Sequence, residues 1–491
     1  MTAPGVAGLA LAVLATTTVV GCSSEAGPAL LPDAEVVESG VPVSDRREPD
    51  LELALSEPRK DSVYPQVGDP GVDALHYALD LTWQPGRRLL KGRSRMVFRA
   101  TRPAPRFQLD LARPLEVTRA RLDGRPVRTT RRGKNLVVHA PVTADQRLTL
   151  TVAYAGRALP VPAPTTRSDF STTGFTVTRT GEVWTMQEPF GAYTWYPVND
   201  QPSDKALYDV TVHAPARWTG ISNGRLVEHE PGRRRTTTRW QLDEPASSYL
   251  MTLAIGDYGW SSGRTKSGLR IDYWVPRGKP TAKKKVRAAA RAMDWAEARL
   301  GPYPFSSLGL VVTESDSAME TQTMVTLGDT GYVLSPAVIL HELVHQWYGD
   351  QVSPDDWRDV WLNEGMTMLM QWLYEADTGG VPIKATVRRA RQLDQLLRDE
   401  HGPPGDYDAG EFGETNIYWS PALMWNELRL ELGDKRFFEI ARSWLAAHDN
   451  QSVNRDDIVA HWEAETGREL SAFFDAWIMG RRTPARGVPS S

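Results

Sequence analysis

Two histidines and a glutamate have the spacing of a metal-dependent hydrolytic site. His341, Glu342 and His345 form the pattern His-Glu-x-x-His, which puts both imidazoles on one face of a helix. Glu342 lies about 100° round the same helix, where its carboxylate can face a water on the metal. With 9 His in 491 residues, roughly 0.01 matches are expected by chance. The pattern therefore predicts a zinc site that activates water.

A third ligand is predicted nineteen residues after His345. Glu364, in Asn363-Glu364-Gly365, belongs to a second helical segment. Two His and one Glu on a single zinc ion leave the fourth position open, as in catalytic rather than structural sites. The only cysteine is Cys22, so neither a thiolate cage nor an intrachain disulfide is possible.

Helices must bring these ligands together, and the sequence indicates where they begin. Ser335 is a good N-cap with Pro336 at the first helical position, so the helix of His341 starts just before the motif. A second helix is predicted over residues 363–376. Further helical patterns lie at residues 281–300 and over most of 421–477.

The N-terminal half has the pattern of strands. Residues 64–260 contain short alternating apolar runs such as Leu148 to Tyr154, separated by turns such as Asp123-Gly124. We therefore predict an α+β fold, with a β domain followed by a helix-rich domain. The predicted segments are a lipoprotein signal peptide (1–21), a flexible tether (22–62), a β-sandwich-like domain (63–261), a catalytic domain (262–484) and a disordered tail (485–491).

The first residues predict export and lipidation. Residues 6–20 are apolar and end in Gly21-Cys22, followed by two serines, which is typical of a bacterial lipoprotein processing site. No Lys or Arg precedes Val6, where a charged segment is usual. The interpretation places the chain at the bacterial cell surface, in contact with the membrane only through lipidated Cys22. The alternative is a buried or free cysteine near a disordered terminus.

Composition excludes one class of partner. The chain has 57 basic and 61 acidic residues, a net charge of −4. This balance gives no net positive charge that would attract nucleic acid, so no nucleic-acid partner is expected.

The extended motif resembles the M1 family of zinc aminopeptidases, of the gluzincin group. The likeness runs from the residues His-Glu-Leu-Val-His-Gln-Trp-Tyr-Gly-Asp at 341–350 to Trp-Leu-Asn-Glu-Gly at 361–365. It covers residues 64–484 in all. The resemblance implies a β-sandwich-like domain followed by a thermolysin-like catalytic domain, in a short form without the large C-terminal helical domain of longer members.

The family's Gly-x-Met-Glu-Asn segment is matched by residues 317–321. The resemblance implies that Glu320 binds the free α-amine of the substrate, and that Ala318 and Met319 contact the substrate beside it. Ser317 and Thr321 replace the family's Gly and Asn, and serine does not adopt glycine's positive φ freely. A surface glutamate at a strand end is the alternative interpretation of Glu320.

The family's Gln-x-Glu-Pro element resembles Gln187-Glu188-Pro189. It implies that Gln187 and Glu188 belong to the substrate-binding set, with Glu188 helping to hold the amine and shaping the first pocket. Tyr193 and Thr194 stand where the family has an Arg. The alternative for Glu188 is a solvated hairpin residue.

Tyr418 matches the tyrosine of the family's Tyr-x-Lys-Gly-Ala element, which donates a hydrogen bond to the oxyanion. Ser420 and Pro421 replace the Lys and Gly. A core tyrosine at a helix start is the alternative. Asp359 is predicted either to orient a zinc-bound imidazole or to be an acid near a helix N-terminus.

These features together predict a zinc-dependent aminopeptidase that acts on peptides with a free N-terminus, with Glu342 as general base. Two alternatives stay open: an endopeptidase or epoxide hydrolase on the same zinc site, and a non-catalytic surface lipoprotein that binds peptides. The sequence assigns neither a preferred side chain nor an oligomeric state.

Overall fold

The structure is a computed structural model that describes residues 41–488. The predicted signal peptide (1–21), Cys22 and the first part of the predicted tether lie outside the described residues. The strands are β1 (Val72–Gln84), β2 (Leu89–Ala100), β3 (Phe107–Asp110), β4 (Leu115–Leu122), β5 (Arg125–Pro126), β6 (Thr129–Arg132), β7 (Asn135–Val138), β8 (Arg147–Gly156), β9 (Val161–Pro162), β10 (Thr172–Val177), β11 (Val183–Met186), β12 (Lys205–Pro215), β13 (Thr219–Ser222), β14 (Arg225–Pro231), β15 (Arg235–Ser247), β16 (Leu253–Gly256), β17 (Tyr258–Arg264), β18 (Arg270–Pro276), β19 (Leu308–Thr313), β20 (Ala318–Met319), β21 (Met324–Gly328), β22 (Ser353–Pro354) and β23 (Ser452–Val453). The helices are α1 (Pro280–Lys285), α2 (Ala288–Leu300), α3 (Pro336–Val344), α4 (Trp361–Asp377), α5 (Ile383–His401), α6 (Thr415–Leu432), α7 (Asp434–Ala447), α8 (Arg455–Thr466) and α9 (Ser471–Ile478).

An eight-stranded sheet dominates the N-terminal half, in the order β14-β15-β12-β1-β2-β8-β4-β5. Along β8, Leu148, Leu150, Val152 and Tyr154 are buried while the residues between them are more exposed, which is the period of a half-buried strand. A five-stranded sheet (β13-β16-β11-β10-β9) and a three-stranded sheet (β3-β7-β6) contribute to the same hydrophobic core. The predicted β-rich N-terminal part of the fold is therefore confirmed.

The C-terminal half packs helices against a second five-stranded sheet, in the order β17-β18-β19-β21-β20. Strands β18, β19 and β21 run parallel, and the short β20 lies antiparallel at the edge. Buried residues of this sheet and of α1 to α9 form one core. A β-rich part followed by a helical part is the predicted α+β class.

Helix α3 begins where the sequence indicates. The Ser335 hydroxyl accepts a hydrogen bond from Val338 N–H at 3.4 Å, with Pro336 as the first helical residue. Helices α4 and α6 approach closely because Gly365 has no side chain: a Cβ there would lie 2.5 Å from Pro421 Cβ. The region predicted as one helix at 281–300 is two helices, α1 and α2, separated by a turn. Helix α5 was not predicted.

The described part of the predicted tether, residues 41–62, is hydrogen-bonded to both halves of the fold rather than flexible. Ser44 N–H donates to Leu226 O at 2.7 Å, and Arg47 N–H donates to Gln241 Oε1 at 2.7 Å. Further along, Ser62 Oγ donates to Asp356 at 2.8 Å. Low apolar content predicts disorder when a segment must bury its own side chains, but here the polar backbone finds partners on other elements.

The tail predicted as disordered from residue 485 is also packed in its described part. Gly487 N–H donates to Glu427 Oε2 at 2.8 Å, and Val488 is buried against the helical core. Among residues 41–488, no helix is both long and apolar enough to cross a membrane.

Candidate active site

All but one of the predicted catalytic, metal-binding and substrate-binding residues within 41–488 line a single cleft. Its walls come from β20, α3, α4 and α6, together with Arg167, Asp169, Phe170 and Glu188 of the β domain. The predicted residues that line it are His341, Glu342, His345, Glu364, Tyr418, Glu320, Glu188, Ala318 and Met319. The cleft is therefore built by both halves of the fold.

Three possible metal ligands converge in this cleft. His341 Nε2 lies 3.3 Å and His345 Nε2 lies 3.4 Å from the same oxygen, Glu364 Oε2. All three residues are buried. Within the described part of the chain, they form the only group of three His, Cys, Asp or Glu residues whose ligand atoms lie within 4.8 Å of one another.

The orientation of His345 fits a cation in this group. Its Nδ1 lies 3.0 Å from the carbonyl oxygen of Tyr348, and a carbonyl only accepts, so Nδ1 carries the hydrogen. The lone pair of Nε2 in neutral His345 then faces the carboxylate of Glu364, and only a proton or a metal ion between them relieves that contact. Burial disfavours the charged ring, but Glu364 and Glu320 outweigh it and raise the pKa of His345 well above its ordinary value.

Glu364 supplies the negative charge at this point. Burial opposes its ionisation, yet His345 and His341 together lower the pKa of its carboxyl to about 2. Two imidazoles and one ionised carboxylate are the donor set of a catalytic zinc ion with an open position. The residues present therefore fit zinc.

Glu342 lies in the same cleft, next to His341 in α3, but is not part of the ligand group. Burial raises the pKa of its carboxyl well above the ordinary value, against the lowering effect of His345, and Glu320 and Glu364 raise it further. A carboxylate with increased proton affinity is suited to take a proton from a reacting water.

Two other carboxylates of the cleft each keep one oxygen without a protein partner. Glu320 Oε1 and Glu188 Oε1 are buried and make no hydrogen bond to described residues. Burial and then the charge of Glu320 raise the pKa of Glu188. Because an unpaired buried carboxylate costs free energy, this arrangement favours a cationic ligand. Neither residue is the solvated glutamate of the alternative interpretations.

Gln346 holds the segment of Glu320 against α3, a role that the sequence analysis missed. Its Nε2 donates to Glu320 O at 2.8 Å and to Asp350 Oδ2 at 2.7 Å. Its Oε1 accepts from Thr323 N–H at 2.8 Å. Its position directly after His345 was the available signal, but two of the partners, Glu320 and Thr323, lie more than twenty residues earlier, in the connection between β20 and β21.

Gln187 is the predicted substrate-binding residue that does not line the cleft. Its Oε1 accepts from Trp195 Nε1 at 2.8 Å, and its Nε2 donates to Ser248 O at 2.8 Å. Since both ends of the amide are bound to protein, the structure makes Gln187 a support for the neighbouring Glu188 rather than a contact for substrate.

Asp359 does not orient a zinc-binding imidazole. Its carboxylate accepts from Trp361 Nε1 at 2.9 Å and from Arg455 N–H at 3.0 Å. It therefore joins the start of α4 to the start of α8. This role is close to the predicted alternative of an acid near a helix N-terminus. The partner of His345 is the Tyr348 carbonyl, and no side-chain motif in the sequence indicates a carbonyl.

Tyr418 lies in the first turn of α6, with its ring stacked near His341 at 6.0 Å between centroids. It lines the cleft, unlike a core tyrosine. Arg167 of the β domain donates from Nη1 to its hydroxyl oxygen at 3.2 Å. Nothing in the sequence pairs these two residues, which lie about 250 positions apart.

The departures from the family's motifs have local explanations. Ser317 has no positive φ, so this position does not need glycine. The hydroxyl of Thr321 is bonded to Met324 O and lies 2.8 Å from Thr326 Oγ1. Ser420 donates to Asp394 of α5, which ties α5 to α6 behind the cleft.

Comparisons with known proteins agree with this geometry. The family description "Peptidase M1 N-terminal domain" matches residues 73–250, and "Peptidase family M1 domain" matches residues 285–477. Aminopeptidase N of Streptomyces lividans is 27% identical over 315 residues, covering 57% of this chain and 36% of that protein. Aminopeptidase N of Lactococcus lactis is 25% identical over 318 residues, covering 58% and 37%. The chain thus spans about a third of the length of the curated relatives it matches.

A solved structure extends the likeness to nearly the whole fold. The M1 zinc metallopeptidase of Deinococcus radiodurans superposes with a TM-score of 0.76 at 25% identity, covering 88% of this chain and 99% of that one. A mutant of the same protein was crystallised with a Tyr-Ser-Ala substrate. Two matched domains in the same order, a shared fold and the His341, His345 and Glu364 group give one conclusion: the chain belongs to the M1 family of zinc metallopeptidases.

Proposed function

We propose that this protein is a zinc-dependent aminopeptidase, which removes N-terminal residues from peptides. The observation that carries the proposal is the pair of buried carboxylates, Glu320 and Glu188, whose free oxygens share a cleft with the metal ligands. A peptide's α-ammonium group is the cation that such a pair recognises. The curated relatives named aminopeptidase N support the same activity.

Binding of the ammonium group fixes which peptide bond reacts. When the N-terminus is held by Glu320 and Glu188, the first carbonyl is the one nearest the ligand group, so each cleavage removes a single residue. Binding of the N-terminus at these two carboxylates separates an aminopeptidase from an endopeptidase, whose substrate must extend past both ends of the cleft. It also disfavours an epoxide as the main substrate, since an epoxide offers no cation to these carboxylates.

The chemistry is divided among the chain's own residues. When bound, zinc supplies Lewis-acid chemistry, lowering the pKa of water and polarising a carbonyl oxygen. Glu342 accepts the proton of the attacking water and then delivers it to the leaving amine. Tyr418 donates its hydroxyl hydrogen to the carbonyl oxygen, where negative charge develops in the transition state.

Replacement of Glu342 by Gln tests the hydrolytic role. Loss of a general base is expected to reduce kcat by at least about a hundredfold, while zinc content measured by atomic absorption stays at one ion per chain. Aminoacyl and N-acetylated aminoacyl reporters are compared for the unaltered protein, with and without a chelator. Activity only on the free amine supports an aminopeptidase.

The endopeptidase and the binding-protein alternatives each have their own outcome in this experiment. Equal cleavage of blocked and free substrates would identify an endopeptidase. Absence of turnover by the zinc-loaded protein on any peptide would favour a binding protein. Full activity of Glu342→Gln would refute the assigned base.

We also propose that the enzyme is held at the cell surface by a lipid on Cys22. The basis is the apolar run before Gly21-Cys22. Labelling of cells with a fatty-acid analogue should mark the unaltered protein but not Cys22→Ser, and only the former should stay with the membrane fraction. An unlabelled native protein in the soluble fraction would contradict this location.

A further inference from the structure

A loop of the β domain reaches across the molecule to the start of α6. The connection between β9 and β10, residues 163–171, makes three polar contacts there. Phe412 N–H donates to Pro164 O at 2.9 Å, Thr166 Oγ1 donates to Glu414 Oε1 at 2.6 Å, and Arg167 Nη1 donates to Gly413 O at 3.0 Å. The loop therefore binds residues 412–414, immediately before the helix that carries Tyr418.

Arg167 is fixed in this loop by its own carboxylate partner. Its Nε and Nη2 donate to the two oxygens of Asp169 at 3.2 and 2.7 Å. The same Nη1 that contacts Gly413 also donates to the hydroxyl oxygen of Tyr418 at 3.2 Å. The guanidinium has five N–H groups, and these contacts use four of them. A planar group with a two-point ion pair keeps one orientation.

This arrangement determines where the Tyr418 hydroxyl hydrogen points. Arginine can only donate, so the hydroxyl oxygen accepts from Arg167 and its hydrogen must point elsewhere. Among the described residues, no protein acceptor binds that hydrogen. The hydroxyl is on the cleft wall, so the hydrogen is left for a ligand. The positive charge of Arg167 also favours the partial negative charge that the phenol oxygen gains as it donates.

We propose that Arg167 is a positioning residue for the proposed hydrolysis, which holds the Tyr418 hydroxyl so that its hydrogen faces the oxygen of the scissile carbonyl. Asp169 fixes Arg167 in turn. The inference rests on the proposed function, because Tyr418 matters to the rate only if the cleft hydrolyses a carbonyl substrate. It makes a loop of the β domain part of the machinery that stabilises the transition state.

Two simpler roles for Arg167 make different predictions. A group that binds the substrate's own carboxylate needs free N–H donors, and nearly all those of Arg167 are bound to protein. If Arg167 only attached the loop to α6, its replacement would lower stability, and that effect would not depend on the Tyr418 hydroxyl. Its effect would persist when that hydroxyl is removed.

The test is a cycle of Arg167→Gln, Tyr418→Phe and the double variant. Arg167→Gln is expected to lower kcat about tenfold to a hundredfold with KM changed less than about threefold, because the contact acts in the transition state. In the Tyr418→Phe background the same change is expected to alter kcat by less than about twofold. Equal effects of Arg167→Gln in both backgrounds, or a rise in KM alone, would overturn the proposal.

Arg299 provides a matched control within the same chain. Its side chain is 27% exposed against 29% for Arg167, and each arginine donates from Nη2 to an aspartate at 2.7 Å. Arg299 also stacks on an aromatic ring, that of Trp295, but does not line the cleft. Arg299→Gln should therefore leave kcat unchanged. If Arg167→Gln fails to fold, Arg167→Lys, which keeps one charged donor, should retain more activity than Arg167→Met.

A spectroscopic measurement separates this inference from the proposed function. In chelator-treated protein labelled with fluorotyrosine, the fluorine resonance of Tyr418 is identified by its loss in Tyr418→Phe. Arg167→Gln should shift that resonance, and Arg299→Gln should not. If no variant hydrolyses any peptide but the shift is seen, the contact is real and the proposed function fails. If peptides are hydrolysed and the resonance does not move, the role of Arg167 is wrong.

Discussion

Single side chains of the cleft divide into the three metal ligands and, under the proposed function, those that bind the charged end of a substrate. The ligand atoms of His341, His345 and Glu364 converge on one point, and the metal-binding chemistry of these residues follows from residue type and spacing alone. Glu320 and Glu188 are different, because a carboxylate becomes selective only when it is buried and left unpaired. Under the proposed function, the free oxygens of these two residues give the site a preference for an ammonium group.

Replacement of Glu320 by Gln should remove most of that preference. Loss of one partner of a buried charge pair costs about 3 kcal/mol, which corresponds to a reduction of kcat/KM on the order of a hundredfold for substrates with a free amine. Steady-state kinetics on an aminoacyl reporter measure the change, with zinc content as the control. Unchanged kcat/KM would show that the amine is held elsewhere.

The sequence predicted these side chains well because their motifs are local. His-Glu-x-x-His lies on one helix, and its spacing needs no knowledge of the rest of the fold. Arg167 and Tyr348 were missed for the opposite reason. One acts across about 250 residues, and the other acts through its backbone carbonyl, which every residue has.

Among helices and strands, the cleft depends on how β20 is fixed against α3. The edge strand has only two residues, so its own ladder cannot position Glu320. Gln346, which directly follows His345, holds this segment through hydrogen bonds to the backbone of Glu320 and Thr323. The sequence located α3 from its N-cap, but a segment as short as β20 has no usable periodicity.

Gln346→Leu should destabilise the protein while keeping its side-chain volume. The change leaves buried polar groups of Glu320, Asp350 and Thr323 without partners, and we expect the free energy of unfolding to fall by about 3 kcal/mol. Urea unfolding followed by tryptophan fluorescence measures it. Gln395→Leu is the control, since this half-buried glutamine also bonds at both ends and should cost less than about 1 kcal/mol. Equal losses would contradict the role of Gln346.

One helix, α5, was missed, and α6 was predicted to begin too late. Ile383–His401 has a strong amphipathic pattern that was overlooked, and α6 begins at Thr415 and continues through Pro421. Proline usually ends a helix. Here it packs against Gly365, and this tertiary contact could not be derived from either local sequence.

Across the whole molecule, a buried lysine links the two halves of the fold. Lys205, at the start of β12, donates from Nζ to the carbonyl oxygens of Asp350 and Gln351 at 2.9 and 3.1 Å. Burial lowers the pKa of Lys205 to about 7, although Asp350 and Asp449 oppose the change. The unfolded chain keeps the ordinary value of about 10.4.

Stability should therefore depend on pH through Lys205. Between about pH 7 and 10 the unfolded chain binds more protons than the folded chain at this residue, so the free energy of unfolding rises with pH. Compared with Lys205→Met, the native protein should gain about 2 kcal/mol between pH 7 and 9. Urea unfolding of both chelator-treated proteins at several pH values measures the difference. A gap that does not change with pH would contradict the lowered pKa.

The two halves of the chain supply different walls of the cleft. The zinc ligands, Glu342 and Tyr418 lie in one half of the chain, while Glu188 and Arg167 come from the other. A chimera joined between β17 and β18 would exchange Glu188 and Arg167 while keeping Glu320 and all three metal ligands. Under the proposed function, recombination at this junction would alter one carboxylate of the amine site and the arginine behind Tyr418, while the zinc ligands and Glu342 are inherited unchanged.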